Sequence, residues 1–211
     1  YSTDLIVVRH PSEGASKLAA EVADAKVINA GDGSREHPTQ TLLDLYTIWR
    51  IFGKITGLKI GVLGDLRYGR TASSLAYGLS MFNDVKCHFI SPHILKMKEE
   101  VLDRVKGKLN YEEHEDINSM MEDIDVLYVT RVQKERFPDS EAYEKVRNAY
   151  TINREFLEKT QSKTIILHPL PRVDEITKDV DEMPNSRYFE QAANGMMIRA
   201  ALISEVLGLE I

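Results

Sequence analysis

The stretch Gly31-Asp32-Gly33-Ser34-Arg35-Glu36-His37-Pro38-Thr39-Gln40 decides how the chain around it folds. It follows a short apolar run at 27–28 and precedes apolar residues spaced as in a helix that buries one side, namely Leu42, Leu43, Leu45, Tyr46, Ile48 and Trp49. A strand, a polar loop and a helix in this order form the unit of an α/β fold with a parallel sheet. Because a helix entrance presents free N–H groups and the positive end of the helix dipole, we expect His37 and Gln40 to bind an anion.

The same alternation of short apolar runs and helical patterns continues along the chain. Strands are predicted at 5–8, 27–28, 58–63, 86–90, 125–130 and 164–167, and helices over 13–23, 71–82, 92–105, 139–147, 153–159 and 184–207. We expect the first strand to be buried on both faces, and the first helix to turn Leu18, Ala19 and Val22 inward. A break between an N-terminal β/α piece and a second β/α domain is predicted near Gln40.

Composition and charge exclude several classes of protein. The formal net charge of −6 argues against nucleic-acid binding, which needs a basic face. No apolar run approaches the roughly 18 residues of a membrane span, so no membrane partner is expected. A single cysteine, Cys87, excludes an intrachain disulfide. We expect a soluble cytoplasmic protein, and because the chain opens at Tyr1 we expect an N-terminal part to be missing.

Arginines follow several of the predicted strands. Arg9 comes after the first strand, and Arg70 ends the loop before a predicted helix, where a guanidinium and helix N–H groups together suit a carboxylate or phosphate. Arg131 and Gln133 follow the strand at 125–130 and would point the same way, since alternate residues of an extended chain share a face. Position alone leaves function and a solvated surface charge equally open for Arg131, and for Lys134, Glu135 and Arg136 the surface interpretation is favoured.

The segment His168-Pro169-Leu170-Pro171 follows the strand at 164–167. Its two prolines stiffen the backbone and remove two donors, so its carbonyl groups are held in a fixed direction and could accept hydrogen bonds from a ligand's amino group. We therefore predict backbone contacts from Leu170 and Pro171, and a structural role for His168.

No motif indicates a metal or a cofactor. The six histidines are dispersed and no C-x-x-C is present. The glycines of the loop at 64–70 lack the G-x-G-x-x-G spacing of a dinucleotide site, and no G-x-S-x-G nucleophile elbow occurs. Arginines, a histidine and amides remain, and such groups stabilise developing negative charge rather than attack covalently.

Collinear motifs give the chain a resemblance to the aspartate carbamoyltransferase family from end to end. The motifs are Val8-Arg9-His10-Pro11, Asn29-Ala30-Gly31-Asp32-Gly33, His37-Pro38-Thr39-Gln40, Gly64-Asp65-Leu66 with Tyr68-Gly69-Arg70-Thr71, Thr130-Arg131-Val132-Gln133-Lys134-Glu135-Arg136, and His168-Pro169-Leu170-Pro171-Arg172-Val173-Asp174-Glu175-Ile176. The resemblance implies two doubly wound parallel-sheet domains. A partial carbamoyl phosphate domain at 1–39 would be completed by a C-terminal helix at 192–211, and an aspartate domain would span 40–191.

The resemblance also implies a reaction: carbamoyl transfer from carbamoyl phosphate to L-aspartate, in de novo pyrimidine synthesis, without a cofactor. Arg9, His37 and Gln40, with the backbone of Leu170 and Pro171, match the family's carbamoyl phosphate site, and Arg9 and His37 are the predicted catalytic groups. Arg70, Arg131 and Gln133 match the aspartate site. The resemblance implies a homotrimer, and it leaves open whether regulatory chains bind to it.

The chain departs from the family at its start. Members carry a Ser-Thr-Arg-Thr phosphate loop and a mobile lysine loop before the point that matches Tyr1, so we expect this chain to be an excerpt of a longer enzyme and to bind carbamoyl phosphate poorly alone. Two alternatives are open. An ornithine-type carbamoyltransferase typically has a cysteine where Pro169 stands, and a non-catalytic carbamoyltransferase-like domain would suit the missing phosphate loop.

Overall fold

The computed structural model describes residues 2–118, 120–132, 146, 150–160 and 163–210, and these form two parallel sheets. Strands β1 (Leu5–His10) and β2 (Lys26–Asp32) pair in the first sheet. The second sheet has the order β5-β4-β3-β6-β7, built from β3 (Lys59–Leu63), β4 (Lys86–Ile90), β5 (Asn110–His114), β6 (Val126–Val129) and β7 (Ile165–Leu167). The predicted α/β class with parallel sheets is confirmed; the sequence patterns missed β5.

Five helices lie between strands, namely α1 (Ala15–Val22), α2 (Pro38–Phe52), α3 (Arg70–Leu79), α4 (Glu99–Val105) and α5 (Arg154–Thr160), and α6 (Tyr188–Leu207) follows the last strand, all counted among the described residues. Apart from Val146, the helix predicted over 139–147 lies outside the described residues. None of the described helices is long and apolar enough to cross a membrane.

The prediction of one helix from residue 92 to residue 105 is wrong. Pro92 leads into a single 3-10 turn, His93–Leu95, and α4 begins only at Glu99. Leu95 and Met97 are both buried. Burying residues two apart suits an extended backbone, in which alternate side chains share a face, better than a helix.

Both faces of the five-stranded sheet are covered. On β6, Val126 and Tyr128 pack into the apolar cluster that includes Leu75 of α3. The alternate residues Leu127 and Val129 pack into a second cluster on the other face, where α5 contributes Leu157. This arrangement is the doubly wound architecture that the family resemblance implies.

The first sheet differs from its prediction. Val7 in β1 is 55% exposed, and in α1 Leu18 and Val22 are 60% and 76% exposed, although all three were predicted to be buried. Helix α1 instead turns its small residues inward, with Ser16 buried and Ala19 half-buried, and small side chains let it lie close to the two-stranded sheet.

The strand order creates a crevice between β3 and β6. From β3 the chain crosses to β4 on one side, while β6 pairs with β3 on the other, so the loops that leave β3 and β6 diverge. In open α/β sheets ligands bind at such a switch point, beyond the carboxyl ends of the strands. Gly64, with φ of 114°, lets the two strand ends approach, because a Cβ there would collide with the carbonyl of Thr130.

A buried carboxylate, Asp44 in α2, connects three elements. Its Oδ1 accepts hydrogen bonds from Nε2 of Gln40 at 2.8 Å and Nε2 of Gln191 at 2.6 Å, and its Oδ2 accepts one from the Tyr128 hydroxyl at 2.9 Å. Asp44 thereby joins α2 to β6 and to α6. Burial raises its pKa from 3.8 to about 7, although the three hydrogen bonds favour the ionised form.

We expect the Asp44→Asn variant to gain free energy of unfolding relative to the unsubstituted chain as pH rises. The folded protein binds the Asp44 proton more tightly than the unfolded chain, so this group destabilises the fold progressively from about pH 4 to about pH 7. An amide does not titrate, so the difference between the two proteins should grow by on the order of 1 kcal/mol per pH unit over that interval. Urea unfolding from pH 4 to 8 measures it.

The exposed Asp103→Asn variant is the matched control and should show no such growth. A difference between Asp44→Asn and the unsubstituted chain that is constant from pH 4 to 8 would contradict the raised pKa of Asp44.

Candidate functional site

A cavity of about 450 Å³ lies at the predicted crevice, where the loops after β3, β6 and β7 meet β1, the start of α2 and the side of α6. The residues that sequence reasoning selected and that line it are Arg9, His37, Gln40, Arg70, Arg131, Leu170 and Pro171. The structure thus brings seven of the eight predicted site residues together. The eighth, Gln133, lies outside the described residues.

The lining of the cavity is strongly basic. Four arginines border it, namely Arg9, Arg70, Arg131 and Arg199, and none of its described lining residues is acidic. The chain as a whole carries a formal charge of −6. Convergent cations inside an acidic protein concentrate positive potential in one cleft, and such a cleft selects anionic ligands.

His37 precedes the first turn of α2 at the cavity wall. Its backbone N–H donates to Oγ of Ser74 at 2.8 Å, which fixes the helix entrance against α3. Its ring Nδ1 lies 3.3 Å from Oγ1 of Thr39. Burial, followed by the charges of Arg70, Arg9 and Arg199, lowers the pKa of His37 to about 4, so the imidazole is neutral at physiological pH.

Gln40 has an amide of fixed orientation. Its Nε2 donates a hydrogen bond to the buried Oδ1 of Asp44, which also accepts one from Gln191. A carboxylate oxygen can only accept, so the nitrogen of the Gln40 amide must face Asp44. Gln40 lines the cavity, and its amide oxygen is then the atom that can accept a hydrogen bond there. A ligand N–H group would be the matching donor.

Arg70, the first residue of α3, lies against the loop that follows β2. Its Nη1 donates to the carbonyl of Gly33 at 3.2 Å. A Cβ on Gly31, whose φ is 131°, would come within 2.8 Å of the guanidinium carbon. Gly31 therefore lets the planar guanidinium lie directly on the backbone, so the end of β2 and the residue after it position an arginine that belongs to the second sheet.

Hydrogen bonds hold the segment at 168–171 through His168. The backbone N–H of His168 donates to Oε1 of Gln191, and the backbone N–H of Leu170 donates to Nδ1 of the His168 ring, both at 2.8 Å. Since Nδ1 accepts, the ring proton is on Nε2, which donates to Glu175 at 2.8 Å. Burial opposes ionisation of Glu175, but the hydrogen bond from His168 holds its pKa below the usual range. Both ring nitrogens of His168 thus bond within the protein.

Sequence reasoning missed three of the polar residues that line the cavity, namely Thr71, Thr130 and Arg199. Arg199 lies in the middle of α6, and its guanidinium runs back over Gly195, one turn earlier, where a Cβ would collide with Nη1. The sequence signal for Arg199 was a glycine four residues before it inside the helix. Residues four apart share a helix face, so Gly195 leaves room for the arginine side chain.

Comparison with known families places both parts of the chain. The family model described as aspartate/ornithine carbamoyltransferase, Asp/Orn binding domain, matches residues 56–206. The model described as aspartate/ornithine carbamoyltransferase, carbamoyl-P binding domain, matches residues 1–50.

Individual relatives are similar over almost the whole chain. The aspartate carbamoyltransferase catalytic subunit of Methanopyrus kandleri is 54% identical over 97% of this chain and 67% of its own length. A solved catalytic subunit of aspartate transcarbamoylase from M. jannaschii has a TM-score of 0.88 and 52% identity, with 98% of this chain and 67% of that chain covered. An aspartate transcarbamoylase from Trypanosoma cruzi, solved with carbamoyl phosphate, has a TM-score of 0.91 and 34% identity, with 100% and 67% covered. The chain thus spans about two thirds of the length of these relatives.

We expect the Arg70→Gln variant to raise the pKa of His37 from about 4 towards its ordinary value of 6.5, because the charge of Arg70 is the largest electrostatic cause of the lowering after burial. NMR titration of the His37 ring protons measures the change. Arg50→Gln removes an exposed arginine from α2, the helix that His37 precedes, and should leave the titration of His37 unaltered. Identical His37 titrations in the Arg70→Gln variant and the unsubstituted chain would contradict the assigned electrostatics.

Proposed function

Since this chain belongs to the aspartate/ornithine carbamoyltransferase family, we propose that it provides most of the active site of an aspartate carbamoyltransferase, an enzyme that transfers the carbamoyl group of carbamoyl phosphate to L-aspartate. The observation that carries this proposal is the convergence of four arginines, a neutral histidine and a glutamine amide in one cavity. A phosphate and two carboxylates need such a surplus of guanidinium groups.

His37 and Arg9 act on the carbamoyl oxygen. The amine of aspartate attacks the carbamoyl carbon, the bond from that carbon to the phosphate oxygen breaks, and the departing phosphate takes up the amine proton. Negative charge builds on the carbamoyl oxygen in the transition state. We assign Oγ1 of Thr39 as the donor to Nδ1 of the neutral His37, which puts the ring proton on Nε2. Nε2 can then donate a hydrogen bond to this oxygen without a change of protonation.

Gln40 and the backbone of Leu170 and Pro171 hold the carbamoyl amino group. The amide oxygen of Gln40 is available as an acceptor because Asp44 occupies its Nε2. The carbonyl of Leu170 is aimed by the hydrogen bonds of the adjacent His168. Two acceptors on the amino group and two donors on the oxygen fix the plane of the carbamoyl group, and orientation of this kind removes much of the entropic barrier to reaction.

Arg70, Arg131 and Gln133 hold the aspartate carboxylates in this proposal. Arg70 begins α3 and Arg131 follows β6, so the two guanidinium groups approach the cavity from both sides of the crevice. An ornithine side chain would bring a cation, and the described lining offers four arginines and no carboxylate to receive it. Pro169 at the position where ornithine-type relatives typically carry cysteine supports the same choice.

The finer predictions about organisation belong to this proposal as well. We propose a cytoplasmic homotrimer in which the domains divide at 39/40 and residues 192–211 return to the first domain. The separate two-stranded sheet of β1 and β2 supports the presence of two domains. The exposed Val7, Leu18 and Val22 are apolar surface that a further chain segment would cover.

The test is carbamoyl-L-aspartate formation by a chimera in which the part of the M. kandleri relative that this chain does not match is joined to the chain. We expect activity from the chimera. A folded chimera without activity would support a non-catalytic carbamoyltransferase-like domain instead.

In that chimera we expect Arg131→Gln to raise the KM for aspartate by roughly 10- to 100-fold, because one charge-assisted contact to a carboxylate is lost. The KM for carbamoyl phosphate should stay the same. Arg67→Gln, an exposed arginine outside the cavity, is the matched control. Aspartate saturation by Arg131→Gln that equals that of the control would remove Arg131 from the aspartate site.

A further inference from the structure

Two histidines and a glutamate meet at the outer edge of the five-stranded sheet. His88 lies on β4, and Glu112 and His114 lie two residues apart on the neighbouring edge strand β5, so the two β5 side chains share a face. His88 stands opposite Glu112 in the parallel register. None of these residues lines the arginine cavity, so the cluster is independent of the function proposed above.

The ligand atoms of the cluster have the spacing of a metal site. Nδ1 of His88 and Nε2 of His114 are 3.0 Å apart, and Oε2 of Glu112 lies 3.8 Å from the first and 3.6 Å from the second. A point equidistant from three atoms with these spacings lies about 2.0 Å from each, which matches the length of Zn–N and Zn–O bonds. A tetrahedral ion lies outside the plane of any three of its ligands, so it would fit after small rotations of these side chains and without rearrangement of the strands.

The charges around the cluster also suit a cation. Glu112 brings a carboxylate beside the two imidazoles, of which His88 is fully buried. Lys86 approaches Oε1 at 3.1 Å, which leaves Oε2 to the histidines.

We propose that His88, Glu112 and His114 bind a divalent transition-metal ion, Zn²⁺ or an ion of the same preference for imidazole and carboxylate, and that the ion ties the edge strand β5 to β4. Two imidazoles and one carboxylate form a ligand set typical of zinc with one position left for water. Glu112 is exposed and His114 half-buried, so the ion can enter from solvent.

Calorimetric titration of the metal-free 211-residue chain with ZnCl₂ tests the proposal. We expect one saturable site in the unsubstituted chain and at least about ten-fold weaker binding in both His114→Asn and Glu112→Gln. Loss of a residue that only supports a metal ligand already weakens metal binding by about this factor, so loss of a ligand should weaken it at least as much. Glu113→Gln, an exposed neighbour on β5, and His93→Asn, an exposed histidine, are the matched controls and should bind Zn²⁺ as the unsubstituted chain does.

Thermal unfolding provides a second readout that does not depend on any enzyme activity. Zn²⁺ should raise the Tm of the unsubstituted chain and of both controls but leave the Tm of His114→Asn unchanged, because only a folded site binds the ion. The proposal is overturned if the unsubstituted chain shows no saturable binding, or if His114→Asn binds Zn²⁺ as tightly as the controls.

Discussion

The buried carboxylate of Asp44 is the constraint on which the site depends. A carboxylate removed from water is costly unless donors surround it, and three side chains supply them, one each from α2, β6 and α6. Two of these, Gln40 and Gln191, have a second function: the first presents its amide oxygen to the cavity, and the second accepts from the backbone N–H of His168. One buried group thus sets the orientation of two separate walls of the cavity.

The basic character of the cavity depends on close approaches that only glycine permits. Arg70 lies on the backbone at Gly31, and Arg199 runs over Gly195. Two of the four guanidinium groups of the cavity are thus positioned by close contact with a glycine, where any other residue would place a Cβ in the way. Positioned in this way, the arginines lose less side-chain entropy when a ligand binds. Burial, followed by the charges of Arg70, Arg9 and Arg199, lowers the pKa of His37 and keeps its ring neutral, so His37 acts as a hydrogen-bond donor and not as an additional cation.

Much of the site was predictable from the sequence, because parallel strands deliver the residues at their carboxyl ends to one edge, as for Arg131. Arg199 was not, since a residue in the middle of a distant helix reaches the site only through tertiary packing of α6 on α2. The fold shows the same limit. Helical spacing indicated an apolar stripe at Leu18 and Val22 but could not show which side of α1 faces the sheet. The side with the smaller Ser16 faces it, because small side chains let the helix pack closer to the strands.

The most direct test of this account is the Kd of N-(phosphonacetyl)-L-aspartate, a ligand of the T. cruzi relative, for the chimeric enzyme carrying Gln191→Leu. Gln191 does not line the cavity, but without its amide the His168 N–H loses its acceptor and the segment at 168–171 loses one of its supporting hydrogen bonds. We expect Gln191→Leu to weaken the affinity by at least about ten-fold. Asn194→Leu is the matched control. It removes the hydrogen bond from α6 to Thr47, one helical turn after Asp44, and should leave the Kd unchanged. Equal affinity in Gln191→Leu and the unsubstituted enzyme would contradict the account.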